Sequence, residues 1–199
     1  MPTGLAIENI SFDVDALTAR PEHAAVLGRI FTSWSLIEGT IAGLLGIMMH
    51  ADDRAAIAIL QTFRTNSARV EAVRKVGAEM LAEEFKADFD GLMKAVLSYA
   101  TERNAIAHNL WGVTEDEPDL VYRMPMSVMS GLVVKASKLD TDEILAYVEP
   151  VKAQMKAITL AELEQLEQQG QEILHRVMKE VTGKMFRQAV AAQSSGATR

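Results

Sequence analysis

The fold is decided by the stretch PEHAAVLGRIFTSWSLIEGTIAGLLGIMMH, which covers residues 21–50. Apolar side chains recur in it every three or four residues, which is the period of an amphipathic helix. They are Val26 or Leu27, Ile30, Trp34, Ile37, Ile41, Leu45 and Met48. Pro21 and Glu22 suit a first helical turn, because proline needs no N–H there and a carboxylate is favoured at the positive end of the helix dipole. The stretch predicts one long helix with a buried stripe.

Three further helices are predicted before residue 110. The first covers about 53–63 and is capped by Asp52 or Asp53, because a carboxylate accepts the unpaired N–H groups of a first turn. Thr65-Asn66-Ser67 ends it and caps the next helix, at about 67–84. A helix from about 88 to 109 follows. The side chains expected to face inward are Ile57, Leu60, Phe63, Val70, Val73, Val76, Met80 or Leu81, Leu92, Val96, Tyr99 and Ile106.

The pattern changes after Gly112, where Glu115-Asp116-Glu117-Pro118 is an acidic turn. Residues 120–124 and 132–136 are short, rich in β-branched side chains and flanked by Pro, Ser and Gly, which is typical of strands. Asp140 to Glu143 resembles a capping box for a short helix that Pro150 ends. Residues 151–157 fit an alternating strand and also a helix, and Pro150 favours the strand.

Thr159 and Glu162 form the sequence pattern of a capping box, which predicts a final long helix to about residue 190. The predicted class is therefore mainly α, an up-and-down helical bundle with a small β-rich insertion before the last long helix. As one domain overall, the chain divides into an extended N-terminal segment 1–20, bundle helices 21–112, an insertion 113–158, the final helix 159–190 and a tail 191–199.

Composition limits the function classes. The chain has 199 residues, a formal net charge of −7 and no cysteine. The negative charge argues against broad, non-specific binding of nucleic acid, and the lack of cysteine excludes disulfides and Cys-based zinc sites. We expect a cytoplasmic protein without a signal peptide and without a membrane association, because the most apolar run, residues 37–49, is too short to span a bilayer.

The chemistry-bearing motif is RNAIAHN, residues 103–109. A guanidinium, a carboxamide and an imidazole suit phosphate chemistry, since a fixed cation stabilises phosphoryl oxygens and a histidine transfers protons. On an ideal helix, Asn104 and His108 share a face, whereas His108 lies about 140° from Arg103. Either the helix is distorted near its end, or two copies meet across a two-fold axis; a helix-terminal imidazole with no catalytic role is the structural alternative.

Two charges fall inside predicted apolar stripes. Arg103 lies within about 40° of Leu92 on its helical wheel, and Glu38 lies about 40° from Trp34 on the first helix. An unpaired buried charge is costly. We therefore predict that Glu38 pairs with Arg103, either as a structural ion pair or as a support that holds Arg103 toward a phosphate.

A cluster of cations lies between Arg54 and Lys75, which is either a candidate RNA contact or an ordinary solvated helix face. Its candidate contacts are Arg64, Arg69 and Arg74, and Trp111 is a further candidate because an indole can stack on a base. The four histidines lack zinc-binding spacing, and neither a P-loop nor a dinucleotide-binding motif is present. We expect no metal and no cofactor.

The run R-N-x-x-x-H resembles the R-x4-6-H signature of HEPN-domain proteins. Arg103, Asn104 and His108 match its three positions, and the continuation Ala107-His108-Asn109 is similar to the context of that histidine in the family. The resemblance implies a helical bundle that dimerises. It also implies metal-independent cleavage, in which an RNA 2′-hydroxyl attacks the adjacent phosphate.

Carried over residue by residue, the resemblance makes His108 a general acid or base, Arg103 a stabiliser of the phosphorane and Asn104 an orienting group. The implied function is a homodimeric endoribonuclease in a toxin–antitoxin or phage-defence setting, with RNA and an antitoxin protein as partners. The alternative is a catalytically inactive HEPN-like module that binds a protein or a nucleotide, and whether the protein is an enzyme stays open at this point.

Overall fold

In a computed structural model, the residues described are 5–7, 9–13, 15–136, 148–181 and 183. The helices are α1 (Pro21–Met49), α2 (Asp53–Gln61), α3 (Asn66–Met80), α4 (Glu83–Ala107), α5 (Met126–Ala136) and α6 (Leu160–Arg176). The strands are β1 (Leu5–Ile7), β2 (Ile10–Phe12), β3 (Asn109–Val113), β4 (Leu120–Pro125) and β5 (Lys156–Thr159). The predicted mainly α class is confirmed.

The predicted caps form at three helix starts. The Asp52 carboxylate accepts from Arg54 N at 2.7 Å, and the Thr65 hydroxyl accepts from Ala68 N at 3.2 Å. At the start of α6, Thr159 N donates to Glu162 Oε2 and Glu162 N donates to Thr159 Oγ1. These bonds satisfy N–H groups that a helix cannot pair internally, which fixes where α2, α3 and α6 begin.

Helix α1 ends on a residue in the left-handed region, His50, with φ of 50°. His50 N donates to Ile47 O and Ala51 N donates to Gly46 O, which is the bonding pattern of a Schellman motif. This turn separates α1 from α2 by only a few residues.

The chain divides into two compact units. The first contains the described residues of Met1–Arg29 and Asn104–Glu167, and the second contains those of Ile30–Arg103 and Gln168–Arg199.

The first unit is built on a five-stranded antiparallel sheet with the order β1-β2-β3-β4-β5. One core cluster of this unit packs strand side chains against α5 and the residues that precede β5. Its buried members are Ile7, Phe12, Met124, Val128, Leu132 and Val151.

The predicted strand at residues 132–136 was wrong, and two further features of the sheet were not predicted. Within the N-terminal segment 1–20, which was expected to be extended, β1 and β2 form a hairpin that joins the sheet. Strand β3 begins at Asn109, near the predicted end of the preceding helix. Residues 132–136 belong to α5, since Val128 and Leu132 are buried one helical turn apart while Val133 is exposed.

The interpretation of residues 151–157 is correct only in part, because residues 148–152 are helical and β5 begins at Lys156. The predicted capping box at 140–143, the end of the last helix near residue 190 and the tail at 191–199 lie outside the described residues. Helix α6 is followed by a π-helical turn, Val177–Val181.

The second unit packs the greater part of α1 with α2, α3 and α4. Its core contains the predicted stripes, with Trp34 and Tyr99 buried at a centroid distance of 6.3 Å. One inward assignment was wrong, because Ile57 is 43% exposed while Ala56 and Leu60 are the buried residues of α2. Of the two alternatives Met80 and Leu81, Leu81 is the buried one.

Tyr99 connects three helical segments of the second unit. Its hydroxyl donates to Ile30 O on α1 at 3.2 Å. A Cβ atom built on Gly170 of α6 would lie 2.3 Å from that hydroxyl and 2.5 Å from the ring carbon that bears it. Only glycine therefore leaves room for the tyrosine at this crossing.

We predict that Gly170→Ala lowers the free energy of unfolding by about 1–3 kcal/mol, because the added methyl group collides with a ring that is already packed. The control is Gly91→Ala on α4, where a built Cβ meets nothing within 4 Å. Helix propensity should make that control stabilising by up to about 1 kcal/mol. Urea unfolding of both variants measures the difference, and equal effects would contradict the packing argument.

His23 is a buried titratable group of the first unit. Burial lowers the pKa of its imidazole from the ordinary value of 6.5, and a hydrogen bond to the Asp119 backbone opposes this shift. As the pH falls, His23 therefore takes up a proton near pH 6.5 in the unfolded chain but only at a lower pH in the folded protein. The stability due to neutral His23 is present above pH 6.5 and is lost as the pH falls through the folded pKa.

We expect the free energy of unfolding to fall between pH 7.5 and pH 5.5, and His23→Gln to reduce this fall. Urea unfolding at the two pH values measures it. His175→Gln, at an exposed histidine of α6, serves as the control, and an equal effect of both variants would contradict the role of burial.

Candidate functional site

The division between the two units falls inside the RNAIAHN motif. Arg103 belongs to the second unit, whereas Asn104 and His108 belong to the first.

Arg103 is half-buried on the last turns of α4. Its guanidinium carbon lies 5.0 Å from the centroid of the Phe31 ring on α1. A guanidinium over an aromatic face is attracted by the ring quadrupole, and the ring also limits its rotamers. Phe31 thus orients the cation, a role that the sequence analysis did not assign to it.

His108 occupies the single residue between α4 and β3. Its backbone N–H donates to Asn104 O at 3.1 Å, which closes the last turn of the helix. On its other side, Asn109 and Leu110 pair with Pro125 and Met124 of β4. Regular structure fixes the backbone on both sides of His108, while its side chain is exposed to solvent.

The predicted ion pair between Glu38 and Arg103 was wrong. Within the described part of the chain, Glu38 pairs with Arg69, whose Nη1 lies 2.5 Å from Glu38 Oε1. Arg69 Nε also donates to Leu60 O and Phe63 O, at 3.2 Å each, near the end of α2. The arginine therefore binds α1, α3 and the end of α2 together, and Glu38 supports this junction instead of the motif.

The candidate RNA contacts on α3 and before it have different environments. Arg74 is held by Glu71 at 2.7 Å and by Asp90 at 2.5 Å. Hydrogen bonds from this arginine lower the pKa of the Glu71 carboxyl, and those from Lys94 and Arg74 lower the pKa of Asp90. With Arg69 and Arg74 engaged by carboxylates, less positive charge is available there than the sequence suggests, and Arg64 is the exposed candidate.

The two tryptophans also differ. Trp34 is buried in the core of the second unit, where it packs against other side chains. Trp111 is half-buried on β3, directly opposite Arg123 of β4. Arg123 in turn lies opposite Lys156 of β5. Neither cation was predicted from the sequence, because only the strand register brings them beside Trp111.

The Glu38–Arg69 ion pair lines a groove of about 360 Å³ between α1 and α2, together with apolar residues that include Ile41 and Ile57. Its two charges compensate each other. The groove lies within the second unit, whereas His108 belongs to the first.

No group of three or more metal-ligating side chains occurs among the described residues. Of the described helices, α1 is long and apolar enough to cross a membrane, and a buried core helix passes the same test. Comparisons with protein-family models, curated proteins and solved structures found no match.

We predict that a double-mutant cycle of Glu38→Gln and Arg69→Gln gives a coupling of about 0.5–1 kcal/mol, reduced from the value of a buried pair because both side chains are partly exposed. The matched cycle of Glu38→Gln with Arg103→Gln should show no coupling. Urea unfolding of the single and double variants provides both values. A larger coupling between Glu38 and Arg103 than between Glu38 and Arg69 would support the predicted Glu38–Arg103 ion pair.

Proposed function

We propose that the protein is a HEPN-like, metal-independent endoribonuclease that acts as a homodimer. The observation that carries the proposal is His108: an exposed imidazole, fixed at the junction of a helix and a strand, at the histidine position of the R-N-x-x-x-H motif. A structural histidine would more often be covered or would cap neighbouring carbonyls through its ring.

In this proposal, His108 acts as the general acid or base at the scissile phosphate. The 2′-hydroxyl loses its proton and attacks the phosphorus, and the bond to the 5′ oxygen breaks as that oxygen takes up a proton. The products are a 2′,3′-cyclic phosphate and a 5′-hydroxyl. This cleavage reaction requires no metal ion.

Arg103 stabilises the charge that develops on the phosphorane oxygens. Its position over Phe31 supports this role, because a cation that is already oriented loses less freedom when it binds an oxyanion. Asn104 orients the histidine or the phosphate. Dimerisation offers a way for residues of the motif from two copies to meet in one cleft.

The competing function is a catalytically inactive HEPN-like module that binds a protein or a nucleotide. Both proposed functions share the fold and the dimer, so only RNA cleavage distinguishes them.

We predict that the wild type cleaves RNA in EDTA and leaves cyclic phosphate ends, and that His108→Ala reduces the rate by about 10²-fold or more. Arg103→Ala should reduce it similarly through loss of charge stabilisation. Gel analysis of a labelled RNA measures the rate, and sedimentation gives the oligomeric state.

His175→Ala, at another exposed histidine, is the matched control and should cleave at the wild-type rate. Thermal unfolding of each variant separates lost chemistry from lost structure. Absence of cleavage by the wild type favours the inactive module, and unchanged cleavage by a folded His108→Ala variant rejects the proposed role of the motif.

A further inference from the structure

Three side chains of the first unit lie side by side on one face of the sheet. Trp111 of β3 is the direct partner of Arg123 of β4, and Arg123 is the direct partner of Lys156 of β5. Directly opposed residues of antiparallel strands point to the same face, with Cβ atoms about 5 Å apart. An indole, a guanidinium and an ammonium therefore form a row across three neighbouring strands.

The same face changes character along the strands. Two residues away from Arg123 and Lys156, Val121 and Ile158 are direct partners and are buried. Toward the row, Arg123 and Trp111 are half-buried and Lys156 is exposed. The row thus lies where the apolar face of the sheet opens to solvent.

The charges of the row are available for a ligand. Within the described part of the chain, neither Arg123 nor Lys156 is part of a salt bridge, in contrast to Arg69 and Arg74. Glu162 lies close enough to feel both cations, and its carboxylate already accepts from the backbone and hydroxyl of Thr159. Among these described groups, two cations face one carboxylate that is engaged elsewhere.

The row is close to His108 along the chain. Trp111 follows His108 by three positions, so their Cα atoms lie at most about 11 Å apart even in a fully extended segment. All four residues belong to the first unit, so this estimate holds within one compact body.

We propose that the row of Trp111, Arg123 and Lys156 binds single-stranded RNA, with a base stacked on the indole and the flanking phosphates on the two cations. This inference rests on the proposed ribonuclease function for its choice of nucleic acid, and it adds the surface that holds the substrate strand. Unpaired bases stack on aromatic side chains, whereas bases inside a duplex are not accessible to a single indole.

The test uses the full chain and a short 2′-O-methyl RNA, which cannot be cleaved because it lacks the nucleophilic hydroxyl. Fluorescence anisotropy gives the dissociation constant at several salt concentrations. The variant Arg123→Gln/Lys156→Gln should bind about tenfold more weakly or worse, and the slope of log K against log salt should fall by about 0.7 for each cation removed.

The matched control is Arg176→Gln/Lys179→Gln, which removes the same charge from two exposed positions at the end of α6 and in the π-helical turn after it. This control should bind like the wild type. Unchanged binding by a folded Arg123→Gln/Lys156→Gln variant, or an equal loss in the control pair, overturns the proposal. Should the double variant fail to fold, Lys156→Glu at the exposed position replaces it, with the same expected weakening and the same criterion for rejection.

Tryptophan fluorescence supplies an independent signal. The chain has two tryptophans, and Trp34 is buried, so quenching by a stacked base must come from Trp111. RNA should quench the wild type and not Trp111→Leu. Quenching that persists in Trp111→Leu contradicts the stacked base.

These experiments distinguish failure of the RNA-binding row from failure of the proposed ribonuclease function. Binding that depends on the row without any cleavage of ordinary RNA supports this inference and rejects the ribonuclease. Cleavage that is indifferent to Arg123, Lys156 and Trp111 supports the ribonuclease and rejects this inference. Tight binding of an acidic protein in place of RNA rejects the inference as well.

Discussion

The packing of the second unit depends on the space around one ring. Tyr99 reaches the backbone of α1 at Ile30 and occupies the space that a side chain at position 170 of α6 would need. One helical turn after Tyr99, Arg103 lies over Phe31, the residue that follows Ile30. The contact that aligns α4 with α1 therefore also aligns the arginine of the motif, so the position of a candidate functional cation follows from the packing of a core tyrosine.

The helices were largely predictable because their signals are local. A cap needs only a Thr or Asp and the next few N–H groups, and an apolar period is visible within one segment. The pairing of Glu38 was not predictable in this way. The sequence placed its carboxylate correctly near the apolar stripe, but the choice of Arg69 over Arg103 depends on how α2 ends. Arg69 is fixed by the carbonyls of Leu60 and Phe63, and only the folded turn brings these together.

The strands were harder to predict from the sequence than the helices. Strand β4 has an alternating pattern and was predicted, whereas the hairpin of β1 and β2 is short and gains its stability from partners far along the chain. In α5, adjacent valines suggested a strand, but the i, i+4 burial of Val128 and Leu132 outweighs their β-propensity. The candidate site shows the same division, since His108 is evident from a motif and Arg123 and Lys156 become neighbours of Trp111 only through strand register.

The pairing of β2 with β3 has a consequence for biosynthesis. Ser11 and Phe12 find their partners at Val113 and Gly112, about a hundred residues later. At the usual pace of translation, the nascent N-terminal hairpin waits roughly 5–20 s for that strand to emerge from the ribosome. During this interval the edge of β2 that later pairs with β3 has no native neighbour, so its unpaired backbone groups are open to pairing with other chains.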